Sequence, residues 1–164
     1  MKRWTRNAAV WALALATMAG AADARKAKRS YPGPYVAEVV KVTDSDTIQA
    51  VVDVWPGVQV PSAIRLLGVD TPEKFRPKCA KEKEMALAAT AFVRELVQPG
   101  DRVVLRHVQW GKYAGRVVAQ VMITNASGDR VNLAQVLIDR GLGRPYFGGH
   151  KTSWCKEDMQ HADD

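Results

Sequence analysis

The chain has 164 residues, with 24 basic and 17 acidic side chains and a formal charge of +7. Once a targeting segment is set aside, that length bounds one ordinary domain with one core, and the basic surplus favours a polyanionic partner, although solubility alone would also explain it. Two cysteines without C-x-x-C or Cys/His spacing, and three scattered histidines (His107, His150, His161), argue against a zinc enzyme.

Residues 1–24 have the three-part layout of a secretory signal peptide. Lys2, Arg3 and Arg6 form a basic start, residues 8–22 (AAVWALALATMAGAA) are uncharged, and Ala22-Asp23-Ala24 places small residues at a cleavage site. A membrane anchor is the alternative, but the run is shorter than the roughly 18 apolar residues of a spanning helix. The expectation is cleavage after Ala24, with Ala19-Gly20-Ala21 as a second candidate cut, and a secreted or periplasmic protein. Removing Lys2, Arg3, Arg6 and Asp23 leaves 21 basic and 16 acidic side chains, a surplus of +5. In an oxidising compartment Cys79 and Cys155 suggest one disulfide, with two free thiols as the other reading.

Residues 25–34 are a basic, turn-rich leader. Residues 35–42 (YVAEVVKV) and 47–54 (TIQAVVDV) are β-branched, roughly alternating runs around a short polar turn, and read as a hairpin. Trp55-Pro56-Gly57 breaks the second strand, and residues 63–68 (AIRLLG) form a third. Between Cys79 and Val97 the period changes to that of a helix, with Met85, Ala88, Ala89, Phe92, Val93 and Leu96 as its apolar stripe. Pro99-Gly100 stops it. Strands follow at 102–108 and 116–124, then a turn at 125–129. A short helix spans 133–140, with Asn132 as N-cap, Gln135 three residues later and Gly141 past its end. The tail from Gly143 onward has no clear period.

Three strands, a helix, two strands and a helix is the order of an OB-fold: a five-stranded β-barrel with helices (α+β), carrying one long amphipathic helix between strands 3 and 4 and a short C-terminal helix. The expected organisation is a domain at 35–144 and a tail at 145–164, tethered if the cysteines pair.

Three segments hold polar residues that a strand-rich core does not need. Asp44-Ser45-Asp46-Thr47 forms the first turn, where the acids would serve equally as turn formers. In RLLGVDTPE (65–73), Arg65 sits in an apolar strand, on the face of Leu67 and Val69 by period two, with Asp70 and Glu73 beyond. A structural salt bridge would also explain that arginine. Gly115-Arg116 opens the fifth strand, where an ordinary surface arginine is the plainer reading. Together Asp46 and Asp70 offer hard oxygen ligands for calcium, Arg65 and Arg116 a phosphate grip, and Glu73 a group to orient or deprotonate water. That set suits phosphodiester hydrolysis.

The phrases VTDSDTI, RLLGVDTPE and AGR, in this order and spacing, resemble the active-site phrases of staphylococcal nuclease-like (thermonuclease) enzymes, and the likeness runs over roughly residues 36–144. The resemblance implies a calcium-dependent nuclease with DNA and RNA as substrates, which breaks the bond to the 5' oxygen and leaves 3'-phosphate ends. It further implies that Asp46 and Asp70 bind calcium through carboxylates and Thr71 through its backbone carbonyl, with Asp44 behind them. Arg65, Glu73 and Arg116 are the implied catalytic residues. Lys112 and Tyr113 are candidate substrate contacts. Two positions depart from the family: Ser45 replaces a glycine, a strain if positive φ is needed there, and Ala114 stands where a tyrosine is common. A monomer without stable membrane association is expected once the signal is cut. The alternative is an OB module that binds nucleic acid without catalysis; a third, an envelope-associated interaction protein, rests only on export and charge.

Overall fold

The computed structural model describes residues 29–155. The signal-peptide expectation, on residues 1–24, lies outside the described residues. In chain order the elements are β1 (Ser30–Tyr31), β2 (Tyr35–Asp44), β3 (Thr47–Trp55), β4 (Val58–Leu66), β5 (Gly68–Asp70), α1 (Ala80–Leu96), β6 (Arg102–Trp110), β7 (Arg116–Thr124), β8 (Arg130–Asn132), α2 (Leu133–Asp139) and β9 (Arg144–Tyr146).

β2, β3 and β4 form an antiparallel meander. β4 then pairs parallel with β7, β7 antiparallel with β6, and β6 antiparallel with β2, which closes a five-stranded barrel. Closure leaves these strands no free edge at their paired centres. This is the expected OB-fold, with α1 between the third and fourth barrel strands. Ser30 and Tyr31 add a short strand to β6 instead of remaining irregular.

The β-branched runs build the barrel by alternation. In β2, Ala37 and Val39 point inward, and an irregularity between Val39 and Lys41 shifts the phase so that Val42 follows them. The third strand starts at Val58, earlier than expected, because Trp55 and Val58 pair across the Pro56-Gly57 turn. Only its 63–66 half also pairs with β7. The earlier half is an edge, where Pro61 leaves no ladder bond unmade. At the other end the strand stops at Leu66. Gly68 takes φ +89, a conformation open to glycine, and redirects the chain into β5. Val69 therefore enters the core while Arg65 stays on the outer face, so the expectation that both share a face fails.

The stripe on α1 also differs from expectation. Ala86, Ala89, Thr90 and Val93 are buried and Ala88 is exposed, while Met85, Phe92 and Leu96 are half-buried at the stripe's edges. The stripe is turned so that small residues face the barrel, and the larger apolar side chains cover the seam. In α2, Asn132 caps as expected, its Oδ1 accepting from Ala134 N at 3.1 Å. Gln135 instead donates to Asp139 at 2.7 Å. The core joins Ile48, Ile64, Leu105 and Val121 of the barrel to Val93 and Val97 around α1 and to Leu133 and Leu137 of α2.

Candidate active site

One cleft of about 740 Å³ opens on the outer face of the barrel. The tight turn after β2 brings Asp44 and Asp46 to it. Arg65 arrives opposite Thr47 in the β3–β4 ladder, and Arg116 lies opposite Ala63 in the β4–β7 ladder. Residues 63 and 65 of one strand share a face, so the pairing registers set both arginines on the same wall. β5 delivers Asp70 at its end, and the loop after it delivers Thr71 and Glu73.

Asp46 is buried, and Arg65 Nη1 lies 2.5 Å from its Oδ2. Its Oδ1 accepts from the Thr47 hydroxyl at 2.8 Å, and that hydroxyl accepts in turn from Arg116 Nη2 at 3.2 Å. Both arginines thus converge on one carboxylate. Arg116 Nε is buried without a hydrogen-bond partner among the described residues, an unusual state for a charged donor. Burial, and then the neighbouring Asp46 charge, push the Asp44 carboxyl up to about 6 from 3.8.

Ser45 is fully covered, and its hydroxyl donates to Thr71 Oγ1 at 2.8 Å. It does not adopt positive φ; among non-glycine described residues His107 does. The replacement of glycine therefore causes no strain, and it ties the first turn to the end of β5. Glu73 is exposed, with Oε1 accepting from Phe75 N at 2.9 Å. Buried Glu82 holds this loop from below, accepting from Lys78 N at 2.6 Å and from Glu73 N at 3.3 Å. Tyr113 lines the cleft at its rim, its ring 5.9 Å from Arg116 Cζ. Lys112 does not line it, and reaches instead over the Tyr113 ring at 5.6 Å.

Cys79 and Cys155 form a disulfide. It fixes a strap, residues 147–155, whose side chains the sequence offered no reason to place here. Lys151 Nζ donates to Asp70 Oδ1, and Trp154 Nε1 donates to Asp70 Oδ2 at 3.3 Å. Among the described residues, no three His, Cys, Asp or Glu side chains stand together in metal-binding geometry. The donor chemistry nevertheless fits a hard cation. Half-buried Asp44 is pushed up by burial and by its neighbour Asp46, a charge crowding that a cation would relieve, and buried Asp70 already draws a cationic partner.

A closed OB-type barrel with carboxylates and two arginines on one wall defines a small anion-handling domain of the α+β class. The family model for the staphylococcal nuclease homologue matches residues 63–164, more than half of the chain, and the chain belongs to that family. It is thereby a nuclease-type hydrolase at the family level, and nucleic acid is the substrate class that this implies. Comparison with curated proteins returned no match. The matched range holds Arg65, Asp70, Thr71, Glu73 and Arg116 but begins after Asp44 and Asp46; the barrel is what brings those two acids to the others.

Proposed function

We propose that the protein is an exported, calcium-dependent nuclease that hydrolyses phosphodiester bonds of DNA or RNA, breaking the bond to the 5' oxygen and leaving 3'-phosphate ends. The observation that carries this reading is the pair of arginines on one wall: Arg116, whose buried Nε has no hydrogen-bond partner among the described residues, lies there with Arg65 in the cleft that Asp44, Asp46, Asp70 and Glu73 also line. The two guanidinium groups together offer a phosphate the charge and the forked donors that it needs.

In this reading Asp46 and Asp70 hold calcium through carboxylates and Thr71 through its backbone carbonyl, while Asp44 backs Asp46. Calcium, when bound, lowers the pKa of a coordinated water and neutralises charge on the phosphate. Glu73 orients or deprotonates the water from the loop that Glu82 supports. Arg65 uses one nitrogen on Asp46 and keeps its other donors for phosphate. Arg116 meets the negative charge that grows as the phosphorane-like state forms. Export rests on the layout of residues 1–24, and the disulfide agrees with an oxidising compartment.

The test is digestion of single-stranded DNA, duplex DNA and RNA by the purified mature protein, in calcium or chelator, with analysis of the product ends. Calcium-dependent products carrying 3'-phosphates are expected. Binding of nucleic acid without cleavage at any calcium concentration would replace this reading with that of a binding module.

A further inference from the structure

Asp70 has a requirement that one neighbour meets. Its side chain is 8% exposed, and a carboxylate so enclosed needs a cation or several donors. Trp154 gives it one neutral N–H bond. Lys151 gives it the charge, from a side chain that is itself 48% exposed. The pair is asymmetric: the ammonium can leave for water at little cost, and the carboxylate cannot.

The strap that carries Lys151 is held at both ends. Arg144 of β9 pairs with Asp70 of β5 across the short ladder, and its guanidinium lies 3.9 Å from the Trp154 ring centre while Nη1 donates to Ser153 O at 3.1 Å. Gly148 and Gly149, at φ +113 and +94, then turn the chain back over β5. Tyr146 supports that turn, its hydroxyl donating to Gly149 O at 3.0 Å and its ring 5.3 Å from Lys151 Nζ. At the far end Cys155 is bonded to Cys79, which caps α1.

We propose that Lys151 is a positioning residue of the cleft: a tethered cation, held by the strap on Asp70, that orients this carboxylate and competes for it with the divalent cation. This rests on the calcium reading given above. A cation that takes Asp70 must first displace the ammonium, so Lys151 sets how much calcium the site requires. Displacement leaves the ammonium in the same cleft, still tethered beside the phosphate wall.

The experiment is a calcium titration by calorimetry, without substrate, on full-length mature protein with its disulfide intact, comparing wild type with Lys151→Met, Lys151→Gln and Lys151→Arg. Loss of a competing part-buried ion pair should tighten calcium binding on the order of tenfold in the Met and Gln variants. Calcium should also raise their melting temperature more than that of wild type, because Asp70 lacks its counter-charge until calcium arrives. Lys151→Arg should keep the wild-type affinity. In an Asp70→Asn background, Lys151→Met should bring no tightening. A merely structural lysine would weaken binding when lost, so tightening separates the two roles. Equal or weaker calcium binding by both neutral variants overturns the tethered cation and leaves the calcium reading intact. No calcium bound to wild type or to any variant overturns both.

Discussion

Arg65 reaches Asp46 at 2.5 Å because Arg65 and Thr47 are partners in the β3–β4 ladder, which places the guanidinium against the acid one residue before Thr47. The same acid receives the Thr47 hydroxyl, and through it Arg116. Asp46 is therefore the joint of the site, and in the proposed reading its carboxylate is a charged calcium ligand that an alanine cannot replace. Asp46→Ala should weaken calcium binding by about tenfold or more and should also loosen both arginines. Calcium titration of the folded variant checks the first effect, and an unchanged dissociation constant would refute it.

Asp44 gives the site a pH signature. Its carboxyl is lifted by burial first and by Asp46 second, from 3.8 to about 6, so the folded protein holds this proton more tightly than the unfolded chain does. Stability should fall as pH rises through that window, and the penalty should be complete above about 6. Asp44→Asn keeps the oxygen that accepts from Asp46 N at 3.2 Å and removes the charge. Allowing for solvent screening of a partly exposed group, the variant should be more stable near neutral pH by about 1 kcal/mol, and no more stable below pH 3.8. Urea unfolding in chelator at both pH values measures this; a gain of the same size at both would show that charge is not the cause.

The barrel strands were legible because closure asks each of them for the same thing, a β-branched inner face repeating every second residue, and 35–42, 102–108 and 116–124 carry it. The acid turn and the arginines were legible as short phrases in a fixed order. The strap was not. Lys151 and Trp154 lie 81 and 84 residues from Asp70 along the chain, and neither sits in a periodic segment. The disulfide was the available sign that this tail returns to the body. The phase of α1 departs from its apolar periodicity because Ala86 and Thr90 are weak apolar signals, yet small residues are what a helix needs to lie close to a sheet. Similarly, Gly68 breaks a phase that counting by two carries straight through.

The disulfide should matter for stability as well as for the strap. It closes a loop of 76 residues, which in the chain-entropy model is worth about 4 kcal/mol, with measured values often smaller. The Cys79→Ser, Cys155→Ser double variant should unfold at lower denaturant. It should keep its α1 cap, because a serine hydroxyl accepts from Glu82 N in place of the sulfur at 3.4 Å. Equal midpoints for the wild type and the double variant would mean that the strap holds without its covalent bond.

Arg116 and Glu73 should separate binding from turnover. Arg116 is half-buried and lines the cleft with Arg65; in the proposed reading it meets charge that appears during the reaction, so Arg116→Ala should lower kcat on the order of a hundredfold while changing substrate affinity much less. Glu73→Gln keeps an oxygen that can accept from Phe75 N, now at 2.9 Å, and so preserves the loop. It cannot take a proton, and kcat should fall with calcium and nucleic-acid affinity near wild type. Substrate affinity in all three proteins should decrease as salt rises, because phosphate contacts release counterions. Steady-state kinetics in saturating calcium, set beside nucleic-acid binding in chelator, tests the assignment. A loss of affinity that matches the loss of rate for Arg116→Ala would mean that this arginine grips ground-state phosphate and adds nothing specific to the transition state.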